Sequence, residues 1–180
     1  METNNSNQSI EAIVKTPVIR SKSFALSLIS NVGRIRKMTI KLKIECISGA
    51  YLEEECIRVI ALDDSTSLYG LHYKIQDAVG FDNDHPFTFF TANSPSPWAD
   101  RNYLISVESW EETEDYFDKA LLKDIWPLGR KKLYYRFDFG DDWIFEIRKM
   151  RSLKADSEIK VPQTLEQVGP NPEQYPFYEE

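Results

Sequence analysis

The sequence predicts an α+β fold in a single domain. Five stretches alternate apolar and polar residues or are rich in β-branched and aromatic residues, as is typical of strands. Two further stretches carry the start or stop signals of helices. The 180 residues fit one domain, and a hydrophobic content of 42% is typical of a globular protein.

Two strands and a helix are predicted in the first part of this domain. Met38 to Ile47 alternates apolar residues with Thr, Lys and Glu, and Cys56 to Leu62 is a second strand-like run. Residues 67–79 follow as a helix that Gly80 ends. The residues expected to cap this helix or to form its apolar stripe are Ser65 or Thr66, Leu68, Leu71, Ile75, and Ala78 or Val79.

A third strand is predicted ahead of a loop. Residues 85–92, HPFTFFTA, read as the third strand, with Pro86 near its start, where a missing donor matters least. The prolines and serines of residues 93–102 indicate a loop, and a short run of residues 103–107 follows it.

A hairpin is predicted around the acidic turn FGDD. Residues 131–138 and 143–150 alternate apolar and polar positions on both sides of it. Gly140 can adopt a positive φ there, and an aspartate can bond its own backbone. One apolar row would contain Trp143, Phe145 and Ile147, and the opposing row Leu133, Tyr135, Phe137 and Phe139.

A second helix and a proline-containing tail flank this hairpin. Ser109 and Glu112 match a capping box, and the helix that they begin ends before Pro127. The tail is expected either to be loose or to dock as an extended segment. Its docking residues would be Val161, Leu165, Tyr175 and Phe177.

The charge differs between the start of the chain and the rest. Residues 1–37 hold six basic and two acidic residues, so the total of −7 leaves −11 for residues 38–180. We expect residues 1–37 to be a flexible basic N-terminal extension and residues 38–180 to be the domain. An acidic body disfavours direct DNA binding, because such affinity comes from Lys and Arg that neutralise phosphates.

Neither a membrane span nor a disulfide scaffold is predicted. No apolar run approaches the roughly 20 residues needed to cross a bilayer, so a cytoplasmic location is expected. Cys46 and Cys56 lie in strand-like runs, where a free cysteine usually behaves as a small buried hydrophobe. A disulfide between them is the less favoured alternative.

The aspartates Asp138, Asp141 and Asp142 allow two interpretations. They could form only the acidic turn of a hairpin, with a repulsion that water, a cation or a basic partner screens. Alternatively, carboxylates and imidazoles together suit a divalent metal ion. The possible metal ligands are His72, His85, Asp138 and Asp141.

Two stretches carry a resemblance to a known family. The runs SLYGLHYKIQDAVGFDNDHPFTF, Ser67 to Phe89, and LYYRFDFGDDW, Leu133 to Trp143, resemble the plasmid pRiA4b ORF-3-like family. Its members are sometimes described as insertion-sequence passenger proteins of resolvase type. The resemblance covers roughly Met38 to Glu180 and includes GPNPEQYP in the tail. The matched positions are Leu71, His72, Ile75, Gln76, Ala78, Gly80, His85, Asp138, Phe139, Gly140, Asp141 and Trp143.

The resemblance implies a fold but no reaction. It implies a compact α+β domain with a mixed, largely antiparallel sheet and helices packed against that sheet. The family's biochemical activity is unassigned. Serine recombination would need a nucleophilic serine among arginines on a basic body, which this acidic domain does not present.

Our leading hypothesis is a non-enzymatic binding module linked to mobile genetic elements or to regulation. Its surface would lie between the helix 67–79 and the FGDDW hairpin, and its partner would be a protein or a basic or cationic ligand. The candidate surface residues are Leu71, His72, Gln76, His85, Asp138, Gly140, Asp141 and Trp143, with Trp98, Tyr73 and Tyr135 as further aromatic contacts. The alternative is a metal-dependent hydrolase or nuclease that uses His72, His85, Asp138 and Asp141.

Overall fold

The computed structural model describes residues 38–107, 119–152 and 158–176. Seven strands lie in these residues: β1 (Thr39–Ser48), β2 (Cys56–Asp63), β3 (Phe87–Ala92), β4 (Asn102–Val107), β5 (Lys132–Phe137), β6 (Trp143–Lys149) and β7 (Gln163–Val168). Two helices accompany them: α1 (Leu68–Val79) and α2 (Leu122–Ile125). The expected extension 1–37, the capping box Ser109 and Glu112, and Phe177 lie outside the described residues.

All seven strands belong to one antiparallel sheet in the order β4-β3-β5-β6-β1-β2-β7. The predicted α+β fold with a mixed sheet is therefore wrong, because the described part of the chain is a single sheet-dominated domain. The difference arises in two places. The described part of the predicted second helix is helical only from Leu122 to Ile125. The tail adds the strand β7 to an edge of the sheet.

The main core lies between α1 and one face of the sheet. Leu71 and Ile75 of α1 are fully buried there, together with apolar side chains from the strands. Ser67 caps α1, with its hydroxyl accepting from Gly70 N at 3.0 Å, so the cap is neither Ser65 nor Thr66. Gly80 ends the helix with φ 74°, as predicted.

The β5–β6 hairpin has the register that its alternation indicates. Leu133 pairs with Ile147, Tyr135 with Phe145, and Phe137 with Trp143. All six side chains are buried in the main core, so this part of the predicted apolar rows is confirmed. Phe139 does not join them, because it lies in the turn. The Arg136 guanidinium covers its ring, with 4.8 Å between Arg136 Cζ and the ring centroid.

The opposite face of the sheet carries a smaller apolar cluster. It contains Phe90, Ala92, Tyr134 and Ile144, with Ala99 of the 93–101 segment packed against it. The guanidinium of Arg101 lies 4.3 Å above the Phe90 ring. The 93–101 segment therefore contacts the face of the sheet that α1 leaves uncovered.

Cys46 and Cys56 are direct partners in the β1–β2 register, and both are buried free thiols. The expectation that they behave as small buried hydrophobes is confirmed. No helix in the described part of the chain combines the length and the apolar character that a membrane crossing requires.

Candidate functional site

The candidate site residues divide into a buried group and a rim group. Leu71, His72, Gln76 and Trp143 are all buried, and so is Tyr135. They join α1 to the sheet and leave no surface between helix and hairpin at these positions. His85 and Asp141 are half-buried and Gly140 is exposed, whereas Asp138 beside them is buried. The structure thus places the sequence-predicted residues in two different environments.

His72 is a core residue. Its ring stacks on Phe87, with 3.7 Å between ring centroids, and its Nδ1 lies 2.6 Å from the Tyr135 hydroxyl. Gln76 Nε2 donates to the same hydroxyl at 2.9 Å. Burial lowers the pKa of His72 to about 4, so the imidazole is neutral at physiological pH. This histidine serves the packing of α1 against β5.

Trp143 is fully enclosed and cannot contact a partner. Its ring meets Phe81 edge to face at 4.8 Å between centroids. A Cβ added at Gly49 would lie only 2.1 Å from the indole, so the close approach of this glycine completes the enclosure. Trp98 is 94% exposed, but it belongs to the segment on the opposite face of the sheet and not to this site.

His85 is held between two carboxylates. Its Nδ1 lies 2.9 Å from Asp84 Oδ1, and its Nε2 lies 3.5 Å from Asp138 Oδ2. The hydrogen bond to Asp84 raises the pKa of His85, and the charges of Asp138, Asp84 and Asp141 add to this effect against the opposing influence of burial. We call His85, Asp84, Asp138 and Asp141 the acidic rim.

The tail completes the acidic rim. The Tyr175 hydroxyl donates to Asp84 Oδ2 at 2.6 Å and lies 3.2 Å from His85 Nδ1. Gln174 Nε2 donates to Asp84 Oδ1 at 3.0 Å. Burial acts to raise the pKa of Asp84, but hydrogen bonds from Tyr175, His85 and Gln174 outweigh it and lower that pKa. Asp84 is therefore a stable anion at neutral pH.

The hairpin turn fixes Asp138 in place. Its Oδ1 accepts from Gly140 N at 2.9 Å and from Asp141 N at 3.3 Å, and Asp142 N donates to its carbonyl at 2.8 Å. Asp138 and Asp142 adopt positive φ, at 50° and 54°, whereas Gly140 does not. The prediction that Gly140 adopts a positive φ is therefore wrong. The two aspartates adopt it instead, since short acidic side chains tolerate positive φ when they bond nearby backbone groups.

Groups of the chain itself offset the negative charges of the aspartates in the turn. Asp142 forms an ion pair with Arg136. Asp138 is compensated by backbone amides and by His85. Asp141 is half-buried and adds its charge to the field around His85.

The four proposed metal ligands do not form one cluster. His85, Asp138 and Asp141 belong to the acidic rim, whereas His72 bonds Tyr135 inside the core. Within residues 38–107, 119–152 and 158–176, no three His, Cys, Asp or Glu side chains are grouped so that they could hold a metal ion. The geometry of the described residues gives the metal-dependent alternative no support.

Sequence reasoning missed Asp84, Gln174 and Arg58. Asp84 and Gln174 belong to the matched stretches, but their contact joins residues 90 positions apart. Arg58 is fully buried and hydrogen-bonds to the carbonyl oxygens of Ala78, Val168 and Pro170. The segment GPNPEQYP therefore ties the tail to α1 and to the acidic rim.

These features define a small antiparallel-sheet domain with a carboxylate-flanked histidine at the turn of its central hairpin. The family model described as plasmid pRiA4b ORF-3-like protein matches residues 39–174. The chain belongs to that family, as the sequence predicted.

One solved structure illustrates the fold. The crystal structure of a protein of unknown function, MM3350 from Methanosarcina mazei Go1, is 21% identical to this chain, with a TM-score of 0.52. The match covers 72% of this chain and 68% of the other. At this identity the likeness concerns the fold alone. No curated protein matches the chain.

Proposed function

We propose that this protein is a non-enzymatic binding module whose acidic rim takes a basic segment of a partner protein. One observation carries the proposal: both ring nitrogens of His85 face carboxylates, those of Asp84 and Asp138. The rim thus stabilises a positive charge that belongs to the chain itself. The proposal includes a cytoplasmic location and an association with mobile genetic elements or regulation.

A cationic side chain of a partner would meet the Asp84 carboxylate, which is already ionised and oriented. Asp138 is fixed by the turn, and Asp84 is fixed by Tyr175 and Gln174. Little side-chain freedom is therefore lost on binding, which favours affinity. A lysine or arginine of the partner would approach the accessible side of the rim, beside Asp141.

The experiment is a titration of the full chain with a fluorescent arginine-rich peptide, followed by anisotropy. Asp84→Asn and Asp141→Asn should each weaken binding several-fold, because each removes a rim charge. Asp77→Asn is the matched control: it removes the same charge on the exposed side of α1, where Asp77 pairs with Lys74.

The pH dependence supplies a second readout. Protonation of His85 lowers the negative charge of the rim, so the affinity for the peptide should fall as the pH decreases through the pKa of His85. The His85→Gln variant should lack this step. Equal weakening in Asp77→Asn and the rim variants would show a general charge effect and would refute the proposal.

A further inference from the structure

A second polar site lies at the other end of the β5–β6 hairpin. The segment before β5 and the end of β6 form an open trough of about 920 Å³. Its lining includes Trp126, Lys131, Lys132, Glu146, Arg148, Lys149 and Arg151. We call this surface the basic trough.

The strand register concentrates cations there. The sequence runs RKK, Arg130 to Lys132, and RKMR, Arg148 to Arg151, are separated along the chain. Because β5 and β6 are antiparallel neighbours, the start of β5 lies beside the end of β6 and brings the runs together. Among the described residues that line the trough, five are basic and one is acidic, although residues 38–180 carry a net charge of −11.

Glu146, the acidic residue in the described lining of the trough, holds two of the basic side chains in place. Glu146 is buried and bonds Lys132 Nζ at 2.9 Å, and it also pairs with Arg148 Nε. Burial acts to raise the pKa of Glu146, but the hydrogen bonds from Lys132 and Arg148 lower it. Lys132 and Arg148 are therefore held at the trough by a carboxylate that stays ionised.

An aromatic ring forms one wall of the trough. Trp126 is half-buried and packs against the main core with Leu128. Lys149 Nζ lies 5.8 Å from the Trp126 ring centroid. A flat apolar surface thus stands next to several positive charges, which is the combination that a base and its phosphates require.

We propose that the basic trough binds a nucleoside polyphosphate, with its phosphates on the Lys and Arg side chains and its base against Trp126. The volume of the trough lies within the range of small-ligand sites, roughly 300–1,000 Å³. A long nucleic acid strand is less suited, because beyond the trough it would run over a surface of strongly negative net charge.

The proposal is tested by isothermal titration of the full chain with ATP at low and at physiological ionic strength. Lys149→Gln and Arg151→Gln should each lower the affinity about tenfold, since each removes a charge-assisted phosphate contact. Lys74→Gln on the outer side of α1 is the matched control and should bind as the unaltered chain does. Trp126→Leu should weaken ATP binding more than tripolyphosphate binding.

Four results would overturn this assignment. The first is that the unaltered chain does not bind ATP. The second is that Lys74→Gln loses as much ATP affinity as the trough variants do. Tripolyphosphate binding as tightly as ATP would remove the role of the base. Tighter binding of a single-stranded oligonucleotide or of a glutamate-rich peptide would assign the trough to a macromolecule instead.

Discussion

Arg58 Nη2 donates a hydrogen bond of 2.7 Å to Asn171 Oδ1, although 113 residues separate the two along the chain. Arg58 Nε also donates to Ala78 O at 2.8 Å, in the last turn of α1. This guanidinium is fully buried and meets carbonyl oxygens, so the negative end of the helix dipole helps to stabilise its charge. Arg58 therefore connects β2, α1 and the tail.

Replacing Arg58 should destabilise the domain strongly. Arg58→Met removes a fully buried side chain together with its hydrogen bonds to several carbonyl oxygens, so we expect a loss of about 3–5 kcal/mol in the free energy of unfolding. Asn171→Ala removes one of these bonds and should cost about 1–3 kcal/mol. Urea unfolding measures both. Arg130→Met, on an exposed side chain, is the control, and an Arg58→Met midpoint equal to the control's would contradict the assigned role.

His72 should make the domain acid-sensitive. Its pKa is lowered from 6.5 to about 4 in the folded chain, so the unfolded chain binds more protons between these pH values. Stability then falls as the pH decreases from 6.5 to 4, by about 3 kcal/mol from this group. Urea unfolding at several pH values should show a shallower acid decline for His72→Gln. Identical declines in both proteins would sink this expectation.

His85 should show the opposite dependence. The hydrogen bond to Asp84 raises its folded-state pKa above 6.5, so its contribution to stability is complete below pH 6.5 and is lost as the pH rises through the raised value. An NMR titration of the imidazole should give this raised pKa in the unaltered chain and a lower one in Asp84→Asn. The His72 signal is the internal control, and an unchanged His85 pKa in Asp84→Asn would argue against the contact.

Gly169 should not tolerate a side chain. It adopts φ 72°, and an added Cβ would lie 1.6 Å from the carbonyl oxygen of Glu55. Gly129 also has positive φ, at 63°, but a Cβ there would meet nothing within 4 Å. Gly129→Ala should therefore cost only the conformational strain of about 1–2 kcal/mol. Gly169→Ala should unfold at a clearly lower urea concentration than Gly129→Ala. Equal losses of stability in the two variants would show that the backbone at Glu55 moves aside at little cost.

The sequence predicted those strands in which apolar residues recur at every second position and so fall on one face of the sheet. The rows Leu133, Tyr135 and Phe137 against Ile147, Phe145 and Trp143 are an example, because each side chain's face follows from its position in the strand. The edge strand β7 was missed, because its residues are mostly exposed and show no alternation. Its place depends on backbone pairing with β2, which no local pattern encodes.

The candidate site was predicted in part. His72 and His85 belong to one matched motif, and nothing in their spacing tells that one is 1% exposed and the other is half-buried. Tyr135 bonds His72 in the core, and Asp138 and Tyr175 join Asp84 beside His85; these three contacts come from residues that lie 50 or more positions further along the chain. The basic trough was not predicted, because it also depends on Trp126 and Leu128, which lie before β5 and outside the hairpin pattern.

The β5–β6 hairpin carries aspartates at its turn and cations at its open end. Six residues of β5 separate these ends by about 20 Å, at roughly 3.3 Å per residue. The hairpin thus gives the domain a permanent electric dipole that its net charge of −11 conceals. At low ionic strength, the field of an approaching charged molecule would orient this dipole before the two come into contact. The pairing of β5 with β6 therefore also sets the orientation in which the domain first meets such a molecule.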